Sequence, residues 1–527
     1  MLTYFVIIPI LIATFLYLFS SDKTGRIVAI IAQSLLVVFA FYLFILTREG
    51  EIATYIGDFY SVLGITLLAD NLSAIFVLLT AFIFLMAAIY SFSDERSRLF
   101  WFLLFLWEAS LIGIFLTRDF FNIFVLIEVA NIVVTIMIMY LRRNRSMYDG
   151  IIYLMANLVA IQFYLLGIGY LYRMTGVLDM EAVRQAIEVL PGSQFILPYA
   201  LIMTTVAFKC AFMPLYSWLP KAHGTPGAPS AVSAVLSALH IKSGVYLFLR
   251  FQDVFGSVST SDFFLAVGVI TGVAGVIMAL SQTDMKLILA YSTIAQIGLI
   301  MIGFGLEGYY AYLGSLYHII NHALFKSALF LSAGMIAHAY HTRDITKISG
   351  VLKRYPVVGV ATILAILGIT GTPLFNGSVS KYFMMSGVDL PLFWIMNFIN
   401  LGTITIFIKY ASMLFGRCED GHETAKNPRT QEIVVVILGV LCFAGGVLGT
   451  QFIGFLFGSS ASVDLLGYLE KVLIFVISLV VGYLLYTRVI KSSHILSRVR
   501  EIDLSFRGIC VALGLFFAVT LIVAGWL

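Results

Sequence analysis

Long apolar runs separated by short polar stretches recur from one end of the chain to the other. A helix needs about 20 apolar residues to cross roughly 30 Å of hydrocarbon. Sixteen segments approach or exceed that length: 2–20, 26–47, 65–92, 99–117, 120–141, 150–172, 195–219, 226–250, 262–281, 286–305, 308–338, 356–385, 391–415, 431–457, 465–487 and 508–526. The pattern predicts an all-α polytopic membrane protein. The first run has no basic residues ahead of it and no small-residue cleavage site behind it, so it reads as a membrane helix and not as a cleaved signal.

Two runs are interrupted. Met213-Pro214-Leu215-Tyr216 breaks the seventh, and Gly371-Thr372-Pro373-Leu374-Phe375-Asn376-Gly377 breaks the twelfth. Proline removes a backbone donor and glycine loosens a helix. Such breaks are tolerated at membrane depth only where they line protein or a wet cavity. The two Pro-Leu-aromatic breaks are five spans apart. An odd interval reverses orientation, which predicts two inverted five-helix repeats, spans 4–8 and 9–13. The expected organisation is three N-terminal helices in 1–98, one repeat in 99–250, the second in 262–416, and two helices in 431–487. A short cytoplasmic amphipathic connector, 488–507, and a final span, 508–527, would follow.

Composition agrees with the pattern. Of 527 residues, 61% are hydrophobic and 11% charged, a balance that excludes a soluble chain of this length. The net charge of +4 belongs to loops and gives no reason to expect nucleic acid. Most of the 32 lysines and arginines fall in alternate loops. Only Arg48, Arg118, Arg173, Arg184, Arg250 and Lys471 fall in the opposite set. By the positive-inside rule both termini would face outward, in the cell membrane of a prokaryote. Cys210, Cys418, Cys442 and Cys510 are far apart and form no CxxC pair, so no metal or iron–sulfur site is expected. No phosphate-binding glycine loop and no hydrolytic constellation occurs, so no cofactor is expected in this chain.

Five lysines remain inside the spans: Lys209, Lys242, Lys326, Lys381 and Lys409. Glu128 lies in mid-span, and Glu108 is a second intramembrane carboxylate with no evident partner. Lys381 and Lys409 are near enough to span ends to snorkel. Glu128 and Lys209 are not, and pairing would hold both charged. Separation of that pair would change the proton affinity of each, which makes a switchable site. In His318-Ile-Ile-Asn-His322-Ala-Leu-Phe-Lys326 the three ionisable groups recur every fourth residue and share one helix face. Imidazole both donates and accepts near neutral pH, so this stripe reads as a proton relay turned into the bundle.

Seven stretches, in order, carry a family resemblance. They are Arg118-Asp-Phe-Phe-Asn-Ile-Phe-Val-Leu-Ile-Glu128, Ala207-Phe-Lys209, Pro214-Leu-Tyr-Ser-Trp-Leu-Pro-Lys-Ala-His223, Ala228-Pro-Ser-Ala-Val-Ser-Ala-Val-Leu-Ser237, Gln282-Thr-Asp-Met-Lys286-Leu-Ile-Leu-Ala-Tyr-Ser292, His318 to Lys326, and Thr370-Gly-Thr-Pro-Leu-Phe-Asn-Gly377 through Lys381. The chain resembles the antiporter-like subunits of respiratory complex I, of Mrp-type cation/proton antiporters and of membrane-bound hydrogenases. The resemblance implies a proton path with Glu128 and Lys209 as partners and Lys242 as a connecting lysine. His318, His322 and Lys326 would continue the axis, and Lys381 would open outward. Lys409 could mirror Lys242, though no motif secures it. The resemblance also implies partner membrane subunits, with iron–sulfur redox subunits or sodium exchange supplied by the complex. A hydrogenase-like complex is preferred on the run Pro220–Ser230, with an Mrp-type Na+/H+ antiporter as the alternative. A self-contained secondary transporter would need a midplane pocket with directional polar groups, which the sequence does not offer. Residues 488–526 run past the usual fourteen helices, and their short connector could brace only an immediate neighbour.

Overall fold

The computed structural model describes the chain except residues 20, 21, 59–63, 95, 259, 418–426 and 527, so Cys418 lies outside the described residues. Two compact units are present. One comprises Met1–Thr260 together with Leu504–Leu527, and the other Ser261–Asp503. Among the described residues, 13 helices are long and apolar enough to cross a membrane. Thr3–Phe19 and Pro356–Thr370 are apolar but shorter. The chain is a polytopic helical membrane protein. Large apolar side chains such as Leu11, Ile132, Leu166, Ile270 and Leu473 are exposed, as lipid-facing surfaces require.

Aspartates start several of the helices by accepting backbone N–H groups that have no partner within the helix. Asp70 accepts from the Ser73 N–H ahead of Asn71–Ser91, and Asp119 from the Asn122 N–H ahead of Phe120–Ile138. In the second unit Asp284 accepts from the N–H groups of Lys286 and Leu287 ahead of Met285–Gly305. Two of these caps recur with the same bracing. Asp119 forms an isolated antiparallel bridge with Asp179, and Asp284 forms one with Asp344.

Four local features differ from the hydropathy reading. Residues 66–69 are not the start of a helix but strand Thr66–Ala69, paired antiparallel with Ile52–Tyr55 in the register Ile52 opposite Ala69. The loop before Ile196 holds an amphipathic helix, Met180–Val189, that buries Met180, Val183 and Ile187. The run 431–457 is two helices, Arg429–Val447 and Gly449–Phe457, hinged at Leu448. The connector contains a π turn, Tyr486–Ile490, and a short helix, His494–Arg500.

That connector and the last helix both pack on other helices of this chain. His494–Arg500 packs on Ser261–Ser281, and the Arg500 Nε donates to the Ser281 carbonyl at 2.7 Å. Phe506–Trp526 packs on Asn144–Thr175 and Ile196–Lys209, with the Phe163 and Phe517 rings 5.6 Å apart.

Both expected breaks are present. Helix Ile196–Lys209 ends before 210–217 and the chain resumes as Trp218–Gly224. Pro214 sits in this gap. The Trp218 Nε1–H donates to the Phe208 carbonyl at 2.7 Å, beside the Ala211 N–H, and so ties the resumed helix to the end of the interrupted one. In the second unit Pro356–Thr370 stops at Gly371 and resumes as Asn376–Met384, with Pro373 in between. Gly371 has φ +77°, which glycine adopts without the cost an L side chain meets. A Cβ on Gly377 would stand 2.0 Å from the Gly368 carbonyl oxygen, so this close return of the chain requires glycine.

Candidate functional site

In the first unit Lys209 is the last residue of the helix before the break and is only 3% exposed. Its ammonium donates to the Asn131 Oδ1 at 2.5 Å and the Asn157 Oδ1 at 2.7 Å. Among the described residues no ion pair joins it to Glu128. Asn131 stands one turn beyond Glu128 on the same helix, and Asn157 comes from Asn144–Thr175. The two amide oxygens take the amine that the carboxylate was expected to hold. Glu128 is half-buried, its Oε1 has no hydrogen-bond partner, and the charges of the two groups still act on each other.

Around this centre the polar contacts continue. The Asn157 amide donates to the Tyr153 carbonyl at 2.8 Å, and the Tyr153 hydroxyl lies 3.1 Å from the His240 Nε2. The Trp107 Nε1–H donates to the His240 Nδ1 at 3.4 Å. Indole only donates, so Nδ1 accepts and, in neutral His240, the proton sits on Nε2, facing Tyr153. His240 ends a π turn, Leu236–His240, and Lys242 folds back from just beyond it to donate to the Ser237 carbonyl. Glu108 is fully buried, and its Oε1 accepts from the Gln33 amide at 2.5 Å. That supplies the partner its sequence context did not name.

In the second unit His318, His322 and Lys326 are all fully buried on one helix, Tyr309–Tyr340. His318 is held at both nitrogens: Nδ1 is 2.9 Å from the Ser380 Oγ, and Nε2 is 3.0 Å from the Gln296 Oε1. The Gln296 amide in turn donates to Thr403 at 3.0 Å. The His318 and His322 rings are 6.5 Å apart, and Phe325 lies against both. The stripe shares a face as expected, but its rings do not touch one another through polar atoms. Lys326 donates to the Ser292 Oγ at 2.5 Å and the Leu289 carbonyl at 2.9 Å. Lys381 donates to the Asn400 Oδ1 and the Ile369 carbonyl, both at 2.7 Å. The Ile369 carbonyl belongs to the interrupted helix end, so Lys381 does at the second break what Trp218 does at the first. Lys409 donates to the Leu280 carbonyl at 2.7 Å and to the Gln282 carbonyl, capping the C-terminus of Ser261–Ser281 where a cation is favourable.

Three groups escape a reading of the sequence. The amide residues Asn131, Asn157, Gln296 and Asn400 do not stand out, because neutral side chains carry no hydropathy signal beyond mild polarity. His240 stands two residues before Lys242 with nothing in its context to mark a role. Lys471, expected in an outer loop, lies inside helix Leu465–Leu485 and donates to the Ser378 carbonyl.

A polar cavity of about 510 Å³ opens at one end of the first unit, lined by Glu51, Asp70, Arg118, Glu181, Arg184 and Arg250 among others. Asp70 binds Arg250 at 2.6 Å and Arg118 at 2.9 Å. Burial alone would raise the Asp70 carboxyl, but the two guanidiniums and Ser73 hold it well below the usual carboxylate range. At Asp284 burial prevails, raising the carboxyl despite Arg343 at 2.8 Å and the capped N–H groups. Among the described residues no group of three or more His, Cys, Asp or Glu side chains could hold a metal ion.

Residues 117–408 match the family described as NADH:quinone oxidoreductase/Mrp antiporter, transmembrane. A Na+/H+ antiporter subunit of Alkalihalophilus pseudofirmus is 29% identical over 414 residues, 76% of this chain and 84% of that one. An NADH-quinone oxidoreductase subunit of Desulforudis audaxviator is 33% identical over 336 residues, 62% of this chain and 66% of that one. Against another, longer Na+/H+ antiporter subunit of A. pseudofirmus, identity is 31% over 75% of this chain, which spans only 51% of that protein. Three solved structures share the fold at low identity. A chain of the Mrp complex from a Dietzia species superposes with a TM-score of 0.78 at 21% identity, covering 95% of this chain and 99% of that one. A chain of the archaeal membrane-bound sulfane sulfur reductase gives 0.79 at 22%, covering 91% and 99%. A chain of respiratory complex I from Thermus thermophilus gives 0.75 at 21%, covering 91% and 100%. The family match runs through more than half of the chain and takes in both broken helices, so the protein belongs to the NADH:quinone oxidoreductase/Mrp antiporter transmembrane family, as an antiporter-like membrane subunit.

Proposed function

We propose that the chain moves protons across the membrane through its buried lysines and histidines. The observation that supports this most is the chemistry of the lysine partners. Lys209, Lys326, Lys381 and Lys409 donate to neutral oxygens, and none of these four forms an ion pair among the described residues; Lys242 donates to the Ser237 carbonyl. A neutral amine still donates, so each hydrogen-bond pattern survives loss of the proton. A structural ion pair would not. His318 has the same tolerance. The Ser380 hydroxyl can point to the His318 Nδ1 or to the Asn376 carbonyl 3.2 Å away, which satisfies imidazole in one orientation and imidazolium in the other.

In this reading Glu128 and Lys209 form the switch of the first unit, and Lys242 leads from it. His318, His322, Lys326 and Lys381 serve the second unit, with Pro214, Gly371, Pro373 and Gly377 keeping the two breaks open. Lys409 contributes as a helix cap as much as a carrier. Sixteen spans in two inverted five-helix repeats would frame these groups. The aspartate bridges support the repeat, because the shift that carries Asp119 onto Asp284 also carries Asp179 onto Asp344 and Asn131 onto Gln296. The same shift carries Tyr153 onto His318 and Asn157 onto His322.

The parent assembly would be a multisubunit membrane complex whose other subunits supply redox chemistry, iron–sulfur centres included, or sodium exchange. The fold shared with a sulfane sulfur reductase chain is compatible with the first, and relatives named Na+/H+ antiporter subunits favour the second. The test is proton movement by the assembled complex in sealed vesicles, with and without sodium, for the natural chain and for Lys326→Ala. Loss of movement in the variant with normal assembly is expected. An undiminished rate would remove the reading, and strict dependence on sodium would select the antiporter assembly.

A further inference from the structure

Helix Leu465–Leu485 follows the second broken helix in sequence and presents mostly exposed apolar side chains. Its first turns are nonetheless fixed to residues 374–382. The Tyr468 hydroxyl lies 3.0 Å from the Ser378 Oγ and accepts from the Leu374 N–H at 3.4 Å. The Tyr382 hydroxyl accepts from the Asp464 N–H at 3.2 Å, and the Tyr382 and Tyr468 rings are 5.9 Å apart. Lys471, two turns into the helix, turns its amine toward Ser378. It donates to the Ser378 carbonyl, lies 3.4 Å from the Ser378 Oγ, and stands 5.9 Å from the centre of the Tyr468 ring. Ser378 is three residues before Lys381 on the same short helix, and the charges of the two lysines act on each other.

The acidic groups nearby do not neutralise Lys471. Asp464 accepts from the Gly467 N–H at 2.8 Å, Glu470 is exposed, and among the described residues neither pairs with Lys471. A lysine with no function in this position would extend to the headgroups, as long basic side chains do. This one spends its amine on a serine of the broken helix. Lys471 is bonded to Ser378, which stands one turn from Lys381 on the same helix, and with no carboxylate paired to either amine among the described residues a second positive charge is disfavoured and sharing of a single proton favoured.

We propose that Lys471 is a further proton-carrying residue, which exchanges a proton with Lys381 through the Ser378 hydroxyl or a bridging water. The Lys381 ammonium gives up one proton and becomes an amine, and the Lys471 amine takes that proton and becomes an ammonium. The proposal rests on the reading that the buried lysines carry protons.

The experiment compares the natural chain, Lys381→Ala, Lys471→Ala, Lys471→Arg and Lys471→His in the assembled complex in sealed vesicles, measuring proton movement from pH 5 to 9. Movement lost in Lys381→Ala establishes the underlying reading on its own. Lys471→Ala is then expected to slow movement at least tenfold. Lys471→Arg should be as slow, because guanidinium keeps the charge and the donors but does not release its proton. Lys471→His should restore part of the rate with its optimum displaced to lower pH. Rescue by arginine would overturn the proposal, because it would mean that only charge or packing matters. So would an unchanged rate in Lys471→Ala. If the Lys471 variants do not assemble, Ser378→Ala removes the intervening hydroxyl and is expected to slow movement several-fold. A natural rate there would count against the relay.

Discussion

A lysine that donates only to uncharged oxygens can change charge without losing a partner. That property separates Lys209, Lys326 and Lys381 from the arginines of the same chain. Arg118 and Arg250 are locked on Asp70 in ion pairs. The two kinds of site call for different tests. For the proposed carriers, His322→Gln keeps a donor and an acceptor but cannot take up a proton near neutral pH. Proton movement in vesicles should fall at least tenfold while the amount of assembled complex is unchanged, and full activity would leave the stripe as packing. For the lock, Asp70→Asn should destabilise the detergent-solubilised protein by leaving two guanidiniums without their carboxylate. The folded-state carboxyl titrates lower than the unfolded one. Its contribution is therefore present above about pH 4 and is lost as pH falls further, through the folded value. The difference in thermal midpoint between Asp70→Asn and the natural chain should be constant from pH 8 to 5 and shrink only in stronger acid. A difference that vanished by pH 6 would assign the effect to another group.

At the scale of elements the two breaks matter most, because each frees backbone groups at the depth where the lysines sit. Proline and glycine announce both breaks in the sequence, and the four-residue spacing announces the shared face of His318, His322 and Lys326. Other features are not legible there. Strand Thr66–Ala69 reads as apolar like the helix it precedes, and only its pairing with Ile52–Tyr55 distinguishes it. Glu128 is the partner that residue types suggest for Lys209, because opposite charges dominate such a reading. The closer amides of Asn131 and Asn157 depend on how three helices converge. Lys471 lies inside the run 465–487, and counting it with the outer-loop charges hides its place within the helix. Convergence also explains Gly244, where a Cβ would stand 2.9 Å from the Lys209 carbonyl carbon and the Cys210 nitrogen. Those are backbone atoms, so Gly244→Ala must push its helix off Lys209, at a cost of about 1–3 kcal/mol. Proton movement should drop several-fold and thermal stability should fall with it. A variant with natural stability and rate would show that this helix contact is loose.

At the scale of the whole molecule, function depends on which groups face which side and on whether they conduct. The positive-inside rule places the basic connector on the cytoplasmic side, which is an expectation to test. A cysteine introduced at the exposed Ser492, in a background whose natural cysteines have been removed, should react with impermeant reagents from the cytoplasmic side only. Labelling from outside in intact cells would reverse the orientation drawn from loop charge. The central claim is that buried amines on neutral acceptors carry protons. It is tested most directly at Lys209, whose two partners, Asn131 and Asn157, are uncharged. The measurement is the initial rate of proton movement in sealed vesicles holding equal amounts of assembled complex with Lys209 or Lys209→Ala. The variant is expected to retain less than about a tenth of the natural rate. An equal rate in the two preparations would contradict the claim.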